Sequence, residues 1–86
     1  MPVLIVSRTA VEAAEYAIDH GLSAADWRFV VHANELLGMT PATHRLVVAG
    51  AWRERKDIAS IRMRARDQGF KMPRRGFGRA RPTERL

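Results

Sequence analysis

An unbroken apolar run, Val3 to Val6, stands near the start of the chain and gives way at once to Ser7, Arg8 and Thr9. Four apolar residues without alternation fit a central parallel strand covered on both faces. Beyond it the period becomes helical. Thr9 and Glu12 have capping-box spacing, and Val11, Ala14, Ala17 and Ile18 fall on one stripe, leaving Glu12, Glu15 and Asp19 to face water. Gly21 supplies the left-handed residue that ends a helix, with Leu22 placed to fold back on it.

A second strand is expected from Trp27 to His32, less apolar at its start and therefore at a sheet edge. The dozen residues after it hold one short helical turn, Asn34 to Leu37, broken by Gly38 and Pro41. That length just suffices for a parallel crossover. Arg45 to Ala49 reads as the third strand. Asp57 to Gln68 reads as the last helix, with Ile58, Ile61 and Ala65 inward, Arg62, Arg64 and Arg66 outward, and Gly69 as the stop. The expected fold is α/β: a minimal Rossmann-like, three-stranded parallel sheet in the order 2-1-3, with flanking helices and a basic C-terminal tail. Ile5 and Val47 are expected to be buried. Residues 1–70 make the domain, and residues 71–86 are linker-like in composition.

Composition narrows the class. At 86 residues the chain makes one small domain, able to bury only about 60–65% of its unfolded surface. No cysteine is present, which removes disulfides and thiolate metal sites and suits a reducing cytoplasm. The first apolar run is too short for a signal peptide or membrane span, so a cytoplasmic protein with no membrane contact is expected.

Charge changes the picture more. Residues 1–50 carry three basic and five acidic side chains, a net of −2, whereas residues 51–86 carry twelve basic and four acidic, a net of +8. Such asymmetry is the footprint of contact with phosphate or with an acidic protein surface, although arginine-rich composition also follows from GC-rich coding. The basic residues Arg62, Arg64, Arg66, Lys71, Arg74, Arg75, Arg79 and Arg81 are interleaved with Phe70 and Phe77. "RRGFGRAR" resembles arginine–glycine–aromatic segments that hold single strands through charge and stacking. DNA or RNA is the leading partner. The alternative is an acidic host or viral protein, or another copy of the chain in a homo-oligomer.

In an open parallel sheet, ligands bind beyond the carboxyl ends of the strands where connections diverge. That rule brings Ser7, Arg8 and Thr9 beside Trp52, Arg53 and Arg55, a potential anion site. Ser7 and Thr9 also read as simple helix caps. Trp52 either stacks on a base or closes the core, and Arg53 and Arg55 either bind an anion or form a solvated turn. No dinucleotide fingerprint, phosphate loop or acidic strand end is present, so no cofactor is expected. His20, His32 and His44 lack ligand spacing for zinc. Ser7 with His32 is a conceivable nucleophile and base, but nothing orients the histidine; no enzyme activity is expected.

The pattern "DWRFV…LLG…HRLVVAGAWRERKD" resembles small uncharacterised Rossmann-like α/β proteins encoded by actinobacterial phages. In those, a tryptophan precedes strand two and a Gly-x-Trp-x-Glu-Arg-like turn follows strand three. The resemblance spans roughly residues 3–70 and excludes the tail. It implies no catalytic residues or cofactor, and points to an accessory phage protein acting in host cytoplasm by binding a target.

Overall fold

Strand β1 (Val3–Val6) lies at the centre of a three-stranded sheet, with β2 (Trp27–Phe29) on one side and β3 (Arg45–Val48) on the other. Both pairings are parallel: Leu4 lies opposite Arg28 and Leu46, and Ile5 opposite Phe29 and Val47. The computed structural model describes residues 1–73. All four β1 side chains are buried, as a strand covered on both faces requires. Alternate residues feed two cores. Val3 and Ile5 pack with Ala13 and Ala17 of α1 (Ala10–Asp19), whereas Leu4 and Val6 pack with Val30, Leu36, Trp52, Ile61 and Ala65 on the opposite face. Ile61 and Ala65 belong to α2 (Ile58–Asp67), and Leu36 ends a 3-10 turn over Ala33–Leu36.

The order 2-1-3 and the parallel sense match the expectation, and the boundaries differ modestly. Strand β2 stops at Phe29 rather than His32, although Val30 still donates its N–H to the Ile5 carbonyl. Val47 is half-buried, because β3 is an edge strand with one side uncovered.

Helix α1 is rotated relative to its apolar stripe. Ala13 and Ala17 face the sheet, whereas Val11 is 67% exposed and Ile18 77% exposed. The helix is pinned at Glu12, whose carboxylate accepts N–H bonds from Arg8 (3.0 Å) and Ala51 (3.3 Å) beyond the sheet. At 100° per residue, holding Glu12 at the sheet end turns the neighbouring line of Ala13, Tyr16 and Ala17 inward. Two alanines allow close approach to β1, while Tyr16 and Leu22 flank the contact.

Both helices end alike. After α1, Gly21 at φ +68 lets Leu22 donate to the Ala17 carbonyl; after α2, Gly69 at φ +91 lets Phe70 donate to that of Ala65. This is the Schellman arrangement, in which the apolar residue after the glycine folds back on its helix. Phe70 is accordingly 7% exposed and belongs to the core. It does not share a solvent-facing basic surface with its arginine neighbours.

These placements make opposite demands on two apolar positions. Leu4→Ala should lower unfolding free energy by about 2–5 kcal/mol, whereas Ile18→Ser should stay within about 0.5 kcal/mol. Urea denaturation of the two variants checks the assignment. A large loss at Ile18 would mean that the outer face of α1 is covered.

Candidate functional site

The carboxyl ends of β1 and β2 expose carbonyls that no further ladder satisfies, and an arginine from the segment before α2 meets them. Arg55 donates through Nη1 to the carbonyls of Ser7 (3.2 Å) and Val30, and through Nη2 to that of Val31 (2.8 Å). Its Nε and Nη2 also reach the two Asp57 carboxylate oxygens, each at 2.9 Å. Those contacts engage all five N–H donors of a guanidinium. The plane lies over Phe29, 5.5 Å from the ring centroid, and the side chain is only 7% exposed. Asp57 stands at the N-cap of α2, yet its carboxylate makes no cap bond there; it serves Arg55 instead. The Arg55 hydrogen bond, outweighing the opposing effect of burial, holds the Asp57 carboxyl below its ordinary range.

At the other tip, between β1 and β3, the chain supplies its own anion. The Glu12 carboxylate lies against Gly50, where an added Cβ would stand 2.5–2.9 Å from its atoms, and Gly50 itself has φ +54. Thr9 caps α1 through Oγ1, which accepts the Glu12 N–H at 3.2 Å. The buried Ser7 hydroxyl donates to the Thr9 carbonyl at 2.7 Å. Arg8 pairs with Glu54 at 3.3 Å across the surface. The fold thus brings Ser7, Arg8, Thr9 and Arg55 to the strand tips, each bonded to groups of the protein itself.

Trp52 is 5% exposed and packs in the core, which leaves little of its indole for a base. Two guanidiniums lie over it, Arg53 at 4.5 Å and Arg62 at 5.3 Å from the ring centroid. Arg62 and Arg64 are half-buried rather than turned fully outward, and the Arg64 Nε is buried with no hydrogen-bond partner among the described residues. Arg66 and Lys71 are exposed. Arg74, Arg75, Phe77, Arg79 and Arg81 lie outside the described residues.

The three histidines are apart in role. The ring of His20 bonds the Tyr16 carbonyl through Nδ1 at 2.9 Å and stacks on the Tyr16 ring. The backbone N–H of His32 donates to Glu35 at 3.3 Å, and the His44 Nδ1 meets Thr43 Oγ1 at 2.8 Å. Among the described residues no group of three or more His, Asp or Glu is placed to hold a metal ion, and no helix is long and apolar enough to cross a membrane.

Two features escaped the sequence reading. One is the seat of Glu12, whose only signal was the glycine ending the third strand. The other is a groove of about 360 Å³ at the opposite end of the sheet, where His44, Arg45 and Leu46 meet Phe70 and Lys71. Comparison with protein-family models, curated proteins and solved structures gives no match.

Arg55→Ala should destabilise the fold by about 3 kcal/mol or more, since it strands three carbonyls and the Asp57 charge. Arg55→Lys should recover only part of this, because an ammonium cannot fork. The ion pair also sets a pH dependence. With the folded Asp57 value depressed, its contribution is complete above the ordinary aspartate value, about 3.9, and is lost as pH falls through the lower folded value. Thermal melts between about pH 2 and pH 7 should show this acid-side loss in the wild type and a smaller one in Asp57→Asn.

Proposed function

We propose that the protein is a non-enzymatic module that binds nucleic acid through its basic last third, using the basic residues of α2 and the tail. The observation that carries the reading is the charge division: a net of −2 over residues 1–50 and +8 over residues 51–86. An opposite-charge polymer is the simplest partner for so many arginines on so short a segment. Two further points support it. Arg66 and Lys71 are exposed, so they are free of the core packing that engages Arg55. The strand tips, where a nucleotide enzyme of this architecture would work, are filled by Arg55 and Glu12. In this proposal the protein is an accessory factor of the actinobacterial-phage kind, at work in host cytoplasm.

A second reading, binding of a protein partner or a second copy, is favoured by the apolar side chains that α1 leaves in water, Val11 and Ile18. Spaced by seven residues, they share the outer face of the helix about two turns apart.

The two readings part in a salt titration. Replacing Arg74, Arg75, Arg79 and Arg81 by alanine in the full chain removes four phosphate contacts if all are used. The slope of log affinity against log salt for a single-stranded oligonucleotide should then fall by about 3. An unchanged slope, or wild-type protein that binds no nucleic acid at low salt, would end the first reading and leave the second.

A further inference from the structure

The groove at the amino ends of the strands belongs to neither of the sites considered above. Met1, Leu46 and the mostly buried Phe70 line it with apolar groups, and exposed Pro41 walls it beside Gly69, where an added Cβ would lie 3.5 Å from the proline Cδ. His44, Arg45 and Lys71 supply its polar lining, and no acidic residue joins them among the described residues. The basic run of residues 71–86 begins at this mouth. A largely apolar lining carrying Arg45, Lys71 and His44 favours an occupant that is flat or apolar in one part and anionic in another.

We propose that this groove receives one unstacked base of a single-stranded nucleic acid, with the flanking phosphates held by Arg45 and Lys71. The inference rests on the nucleic-acid reading above and adds the strand state of the ligand. The groove is open to solvent, and its volume of about 360 Å³, at the small end for ligand pockets, has room for one base. A duplex would have to flip a base out to reach it, which costs a few kcal/mol. A single strand has no pairing to break and pays less, and base contact with an apolar or aromatic surface tolerates any sequence. His44, which also lines the groove, meets Thr43 Oγ1 through Nδ1. Met1, Pro41 and Leu46, with the small accessible part of Phe70, give the base an apolar lining, while Arg45 and Lys71 set its phosphates without reading sequence.

The test uses the full chain and three probes of equal length and charge per strand: a thymidine oligomer, its duplex with the complementary strand, and an abasic oligomer with the same phosphates. Affinity for the thymidine oligomer should exceed that for the abasic one at least about fivefold, with similar salt slopes, and should also exceed that for the duplex. Leu46→Trp, which fills the groove, should reduce thymidine binding to the abasic level. Pro41→Trp narrows the groove from its exposed wall and should do the same if Leu46→Trp does not fold. Equal binding of thymidine and abasic oligomers, or full thymidine affinity in a folded groove-filled variant, overturns the base-binding groove while the charge-based reading stands. Binding of none of the three probes overturns both. Displacement of the oligomer from the groove by a Glu- and Leu-rich peptide at lower concentration than by free oligomer would assign the groove to a protein segment and also overturn the proposal.

Discussion

A small parallel sheet faces a problem at its carboxyl ends, where carbonyls point out of the ladder with no strand to receive them, and here a single guanidinium answers it. Arg55 donates to Ser7 after β1, to Val30 and Val31 after β2, and to Asp57 at the start of α2. Three segments distant in sequence are thereby fixed to one planar group. Burying a charge in this way is tolerable because every donor is used and the counter-charge is bidentate. With Arg55 in place, α2 is held against the sheet, Ile61 and Ala65 reach Leu4 and Val6, and Trp52 closes the core beside them. A domain of this size has few other contacts to substitute for it.

Glu12 is the acidic counterpart on the other side of β1. Amide groups at the switch point between β1 and β3 would attract an anion, and the protein provides one from its own first helix. The consequence reaches α1 as a whole: the helix is turned so that alanines face the sheet and Val11 and Ile18 face out. Where related architectures keep the strand tips open for a ligand, this chain uses its charged residues there for cohesion, which directs attention to the remaining basic surface and to the groove at the other end of the sheet.

Much of the fold was legible because it depends on local pattern. The run from Val3 to Val6 contains no polar break, and only a two-sided central strand needs that, so strand order followed. Thr9 and Gly21 marked the ends of α1 through short-range chemistry. Phe70 was equally legible, since Gly69–Phe70 repeats the Gly21–Leu22 signal, but its setting among arginines suggested a surface role. The face of α1 and the fate of Arg55 were not legible. Glu12 finds Ala51 at a separation of 39 residues, and Arg55 finds Val30 at 25. Nothing in either local pattern selects those partners, and three arginines near a strand tip look alike until the carbonyls are in place.

The strand tips are occupied by the protein's own Arg55 and Glu12, and in the proposed function nucleic acid meets the basic side and the groove instead. Amide chemical-shift mapping during titration with a single-stranded oligonucleotide tests this most directly. Progressive shifts are expected at Arg45, Leu46, Gly69 and Lys71, with Ser7, Thr9, Gly50 and Ala51 unmoved. Saturable shifts centred on Ser7, Thr9, Gly50 and Ala51 would contradict it, because they would mean that an outside anion displaces Glu12 and that the strand tips are the binding site.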